Sequence, residues 1–142
     1  MHRILSEFGL AHPLLDRKTV HPIPSILLID DNAEALETIG KVLTAVGVNT
    51  VCAVGSAEAA LERVKTQTFS LIIADYRLGG MDGVEFLERL RAAGDQTPLL
   101  LLSGAPDKAG VLRATRLPKV DFFGKPFRVA DLVSAMDKLV CA

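Results

Sequence analysis

Apolar residues gather in short solid runs, and a polar residue closes each one. Ser25-Ile-Leu-Leu-Ile leads into Asp30-Asp31, and Leu71-Ile-Ile-Ala ends at Asp75. Leu99-Leu-Leu-Leu ends at Ser103, and Val120-Asp-Phe-Phe-Gly leads into Lys125-Pro126. Runs of this length, bounded by turn residues, predict β-strands. The strands are expected over Ser25 to Ile29, Phe69 to Ala74, Thr97 to Leu102 and Val120 to Phe123. A more polar stretch, Asn49 to Ala53, has the character of a sheet edge.

Between these runs the period changes from continuous to helical. Asn32 stands as a cap before Leu36, Ile39, Leu43 and Val46, and Gly47 stops the helix. Ser56 precedes Ala57, Ala60, Leu61 and Val64. Val84, Leu87 and Leu90 follow the Asp82-Gly83 loop and end at Gly94. A short helix is expected from Asp107 to Thr115, and a last one along Val129, Leu132, Val133, Met136 and Val140. Five strands alternating with five helices predict an α/β domain with a doubly wound, five-stranded parallel sheet, its faces covered by helices. In such a fold the functional groups lie in the crevice at the carboxyl ends of the strands. The residues that close the apolar runs would then share one rim.

Residues 1–24 stand apart. They hold all three histidines, His2, His12 and His21, and three of the seven prolines. We read 1–24 as an N-terminal extension or linker and 25–142 as the folded domain. At 142 residues, 49% hydrophobic, the chain can bury a core. No purely apolar run is longer than Leu99 to Leu102, far too short to span a bilayer. The N-terminus lacks the apolar region of a signal peptide, so a cytoplasmic location is expected. A net charge of −1 argues against direct nucleic-acid binding. Cys52 and Cys141 have no metal-like spacing and read as reduced, buried thiols.

Three carboxylates, a hydroxyl and an ammonium on one rim suit a divalent cation and a phosphoryl group. Mg²⁺ takes oxygen ligands, and Asp30, Asp31 and Asp75 supply carboxylates. Asp75 ends the central strand and is the candidate nucleophile, since a carboxylate can attack phosphorus to give an acyl phosphate. Lys125 would neutralise phosphoryl oxygens and Ser103 would donate a hydrogen bond. Each residue alone reads as a turn former or a solvated side chain. Their joint placement on successive strand ends carries the reading.

With these residues assembled, the chain resembles the receiver domain of two-component response regulators. The matching stretches are Ile26-Leu-Leu-Ile-Asp30-Asp31-Asn32, Ile72-Ile-Ala-Asp75 through Met81-Asp-Gly83, Leu101-Leu-Ser103-Gly104 and Phe122-Phe-Gly-Lys125-Pro126-Phe127. The resemblance implies a flavodoxin-like strand order, 2-1-3-4-5. It implies Asp75 as phosphoacceptor from a phosphohistidine, on a sensor histidine kinase or a histidine phosphotransfer protein. Asp30, Asp31, Asp75 and the backbone carbonyl of Arg77 would hold Mg²⁺. Ser103 and Lys125 would contact the phosphoryl group, the bond to Pro126 would be cis, and Phe122 would be the aromatic switch. The activity implied is Mg²⁺-dependent self-phosphorylation with slow autodephosphorylation, not conventional turnover. A downstream protein target or a homodimer partner would read the switch.

Three departures stand out. Gly79 replaces the usual proline, which implies a more mobile loop. Phe122 lacks the hydroxyl of the frequent tyrosine. Leu117-Pro118-Lys119 replaces the usual Gly-Ala before the fifth strand, so the preceding helix is expected to be short or displaced. The final helix runs to the end of the sequence, which suggests a stand-alone receiver or one excised from a longer protein. Lys108, Arg113, Arg116, Lys119, Lys125 and Arg128 cluster in sequence; they read as a solvated face or as a docking face for an acidic partner. His12 has no kinase-like surroundings. The alternative to a phosphorylated switch is a receiver-like interaction module that works without phosphorylation. A haloacid-dehalogenase-type phosphohydrolase needs a second Asp two residues after its nucleophile, where this chain has Arg77.

Overall fold

The computed structural model describes residues 23–104 and 108–141. Five parallel strands alternate with helices: β1 (Ser25–Ile29), α1 (Ala33–Ala45), β2 (Thr50–Val54), α2 (Ala57–Thr66), β3 (Leu71–Asp75), α3 (Gly83–Ala92), β4 (Leu99–Ser103), α4 (Lys108–Thr115), β5 (Val120–Gly124) and α5 (Val129–Cys141). The strands are ordered β2-β1-β3-β4-β5 and every neighbouring pair is parallel. This is the expected doubly wound, flavodoxin-like sheet.

The period-2 alternation of the strands divides the interior into two cores. Leu27, Ile29, Ile72, Ala74, Leu99 and Leu101 face α2, α3 and α4, meeting Ala60, Leu87, Leu90 and Ala114. Ile26, Leu28, Ile73, Leu100 and Leu102 face α1 and α5, meeting Ile39, Leu43, Leu132 and Met136. Solid apolar sequence therefore marks β1, β3 and β4, the strands covered on both sides. The edge strands differ, as β2 is half exposed and β5 places Asp121 in solvent. Cys52 lies on edge strand β2 as a free, half-buried thiol, less enclosed than its apolar neighbours suggest. Cys141 closes α5, and its side chain is outside the described part, as are the three histidines and Asp107.

Helix starts follow local chemistry. The side chains of Asn32, Ser56 and Asp82 accept hydrogen bonds from the backbone N–H of Ala35, Ala59 and Glu85, at 3.0, 3.0 and 2.7 Å. Two strands reach further than the apolar runs suggest, so Asp75 and Ser103 are themselves the last residues of β3 and β4. Ile23 and Pro24 join the sheet from outside β1. Ile23 is buried, its carbonyl accepts from Asn49 N–H at 3.2 Å, and that of Pro24 accepts from Thr50 N–H at 3.0 Å.

The segment that departs from the family pattern is held by a buried cation. Arg91, at the end of α3, is 8% exposed. Its Nε donates to Pro118 O at 3.0 Å, its Nη2 to Lys119 O at 3.1 Å and its Nη1 to Asp95 O at 2.9 Å. Lys119 adopts φ 55°, the left-handed region that glycine would enter freely. The helix ahead of it, α4, has eight residues and is the shortest among those described.

Gly83 fixes the spacing between α3 and the centre of the sheet. A Cβ there would lie 2.6 Å from Leu101 Cδ2, 2.8 Å from Asp75 O and 3.2 Å from Tyr76 Cα. Its own N–H donates to Tyr76 O at 2.8 Å. Gly83→Ala should therefore destabilise the fold by about 2–3 kcal/mol, because strand backbone has no low-energy way to retreat. Urea unfolding of the variant checks this, with Gly40→Ala, where nothing stands within 4 Å, as the tolerated control.

Candidate functional site

The rim at the carboxyl ends of β1, β3, β4 and β5 gathers the polar residues that close the apolar runs. Asp30 follows β1, and its backbone N–H donates to Val54 O at 3.2 Å, tying the rim to β2. Asp30 is 3% exposed, and its Oδ1 accepts from Asn32 N–H at 2.9 Å. Asn32 thus serves twice, capping α1 with its side chain and holding Asp30 with its backbone. Asp31 next to it is exposed.

Lys125 reaches the centre of this group. Its Nζ lies 2.6 Å from Asp75 Oδ1 and 3.8 Å from Asp30 Oδ2. Its backbone N–H donates to Ser103 O at 2.9 Å, so the lysine is anchored to the end of β4. The Lys125–Pro126 peptide bond is cis. Asp75, Ser103 and Lys125 line one cleft of about 340 Å³ with Tyr76, Arg77 and Gly104. Asp31 lies in an adjoining cleft of about 510 Å³ with Tyr76, Arg77, Leu78, Gly79, Gly80 and Asp82. Phe122 is outside this polar group. It is half buried on β5, beside Leu101 in register, and packs against the core under α2, α3 and α4.

One oxygen from each of Asp30, Asp31 and Asp75 can be chosen so that all lie within 4.8 Å of one another. Burial pushes the Asp30 carboxyl above the usual carboxylate range. Asp75 and Asp31 push the same way, while the Asn32 N–H and Lys125 oppose them. Among the described residues, one ammonium, that of Lys125, faces these three carboxylates. An all-oxygen set with excess negative charge fits a hard divalent cation such as Mg²⁺.

Two backbone features were not visible as site components in the sequence. The Asp82-Gly83 pair reads there as a loop, yet Gly83 is what lets α3 pack against the carbonyl of Asp75. Gly79 adopts φ 85°, and Gly80 N–H donates to Leu78 O at 3.2 Å, closing a three-residue turn. Proline, fixed near φ −65°, cannot make that turn. The glycine at this position therefore belongs to a different loop geometry from the one proline imposes.

A doubly wound parallel sheet with a carboxylate cluster and a lysine at its carboxyl rim defines the class of α/β domain to which this chain is compared. The model of the response regulator receiver domain family matches residues 26–137, and the chain belongs to that family. TodT of Pseudomonas putida is 31% identical over 128 residues, 90% of this chain and 53% of TodT. FixJ of Bradyrhizobium diazoefficiens is 30% identical over 115 residues, 81% of this chain and 56% of FixJ. The chain spans about half the length of these relatives. Full-length FixJ from B. japonicum superposes with a TM-score of 0.77 at 28% identity, over 85% of this chain and 59% of that one. The receiver domain of the sensor histidine kinase PA1611 from Pseudomonas aeruginosa, solved with magnesium in its active-site cleft, superposes with a TM-score of 0.74 at 23% identity. It covers 86% of this chain and all of its own, and it shares the fold.

If the rim holds a cation, Mg²⁺ should raise the melting temperature of the wild-type chain. The gain approaches about 2.7 kcal/mol at a hundredfold excess over Kd. Asp30→Asn should abolish that response while raising the melting temperature of the metal-free fold, since it removes a buried carboxylate with like-charged neighbours. Thermal melts across a Mg²⁺ titration read both effects.

Proposed function

We propose that this chain is the phosphoacceptor receiver of a two-component system, working in the cytoplasm. It takes a phosphoryl group on Asp75 and changes shape to control a protein partner. The contact between Lys125 Nζ and Asp75 Oδ1, inside a rim of further carboxylates, supports this reading most directly. The upstream donor is a phosphohistidine, on a sensor histidine kinase or a histidine phosphotransfer protein. The downstream partner is a protein target or a second copy of the chain.

An oxygen of Asp75 attacks phosphorus as the P–N bond of the donor breaks. The electron pair returns to the imidazole nitrogen, and an acyl phosphate forms on Asp75. Asp30, Asp31, Asp75 and the backbone carbonyl of Arg77 would hold Mg²⁺. When bound, the ion offsets the negative charge of the carboxylates and the transferring group. Lys125, already against Asp75, follows the developing charge onto a phosphoryl oxygen. Ser103, on the wall of the same cleft, donates its hydroxyl to another. That draws the end of β4 towards Asp75, and Phe122 on the neighbouring strand takes the space released. Arg77 stands where a haloacid-dehalogenase-type enzyme carries its second Asp, so rapid hydrolysis is not expected.

Incubation with a small phosphodonor and Mg²⁺, followed by intact mass, tests the reading. A single phosphoryl adduct should form in the wild type and vanish without Mg²⁺ or in Asp75→Asn. Lys125→Ala should slow its formation by roughly a hundredfold. No adduct from a small donor or from a phosphohistidine protein would leave a binding module that works without phosphorylation.

A further inference from the structure

The contact between Lys125 and Asp75 closes a frame with two long sides. One side is α3. Its first residue, Gly83, rests on the Asp75 carbonyl and donates its N–H to Tyr76 O at 2.8 Å. Its penultimate residue is Arg91. The other side is β5, which starts beside Arg91 and delivers Lys125 to the rim. The sides are nearly matched: Gly83 to Arg91 rises about 12 Å, and Val120 to Gly124 spans about 13 Å.

Little besides this frame sets the position of β5 along the sheet. It is an edge strand beside β4, and none of its residues is fully buried. Parallel ladder bonds are evenly spaced, so they do not by themselves choose one axial position. Apolar burial, which fixes register elsewhere in a sheet, is weak here. Polar ties hold the strand at its two ends instead. At the rim, Lys125 N–H donates to Ser103 O at 2.9 Å. At the start, Lys119 O accepts from Leu99 N–H at 2.9 Å and from Arg91 Nη2 at 3.1 Å, and Pro118 O accepts from Arg91 Nε at 3.0 Å. The third Arg91 bond, from Nη1 to Asp95 O, fixes the guanidinium to the turn after its own helix. Arg91 is thus the corner at which α3 and β5 are joined.

We infer that Arg91 is a positioning residue for the Lys125–Asp75 contact, setting where β5 sits along the sheet and hence where the ammonium meets the rim. Arg91 lines neither cleft, and it acts from the far end of β5. Misplacing a reacting group by about 1 Å can cost up to a hundredfold in rate, so slack at the start of the strand is felt at Lys125 Nζ. The consequence for phosphoryl transfer rests on the phosphoacceptor reading; the placement of the ammonium does not.

Two readouts on folded variants test this. Nitrogen NMR of lysine ammonium groups reads the placement directly, because an ammonium held against a carboxylate exchanges its protons slowly. The wild type should show a protected signal, assigned to Lys125 by its loss in Lys125→Ala. Arg91→Gln should lose it, and Arg91→Lys, which keeps a buried donor and guards against a Gln variant that does not fold, should lose part of it. Leu43→Ala, which opens a cavity in the opposite core and lowers stability, should keep it. A wild type without the signal, or Arg91 variants that retain it in full, overturns the placement. The second readout is the rate of adduct formation with a small phosphodonor and Mg²⁺. Arg91→Gln should slow it by about tenfold, or Arg91→Lys by about threefold, and neither should slow it further in a Lys125→Ala background. Leu43→Ala should leave the rate unchanged. Equal slowing with and without Lys125, or slowing by Leu43→Ala as large as that in the Arg91 variants, marks lost stability rather than lost position and overturns the inference. Absence of any adduct in the wild type defeats the phosphoacceptor reading, while the ammonium signal still decides the placement.

Discussion

One ammonium among three carboxylates governs this domain. The 2.6 Å contact from Lys125 to Asp75 draws together β3 and the end of β5, which the sheet keeps apart by the width of β4. The charge balance remains negative, and Asp30 shows it, since burial and its acidic neighbours raise its carboxyl pKa. Such a rim is unstable towards any species that changes its charge, whether a cation entering or a phosphoryl group arriving. The rest of the fold serves to hold that imbalance in place.

Holding it requires close tolerances in the backbone. Asp75 is the final residue of a strand buried on both faces, and the first residue of α3 rests on its carbonyl with no room for a Cβ. Asn32 spends its side chain on a helix cap and its N–H on Asp30. Lys125 is anchored through its own N–H to the last residue of β4. Each of these residues joins an electrostatic role to a secondary-structure boundary, so the polar geometry cannot drift without unravelling an element.

This coupling explains what could be read from the sequence. Strand ends were visible because a solid apolar run stops where burial stops, and the rim residues are those stops. Asn32, Ser56 and Asp82 were legible as helix starts or turns because capping is local. Arg91 was not legible. Arg89, two residues before it, is an exposed partner of Glu85, and nothing local separates the two; two of the three carbonyls that Arg91 meets lie 27 and 28 residues away. The basic stretch from Lys108 to Arg128 leaves a solvated face and a docking face both open, because the counter-charges of its members are distant in sequence. Arg113 pairs with Glu88 and Lys125 with Asp75, partners 25 and 50 residues distant. Sequence proximity of like charges said nothing about where each would find its counter-charge.

The alternation of side chains along β1, β3 and β4 separates two cores that meet only through the sheet. The sheet is therefore a partition as well as a scaffold. Packing changes beneath α1 and α5 are screened by a layer of hydrogen-bonded backbone from packing changes beneath α2, α3 and α4, where Phe122 and Ala114 reside. Substitutions on opposite sides should combine additively, whereas those sharing a side need not. The domain can thus accumulate sequence change in one compartment while the packing of the other is left as it was.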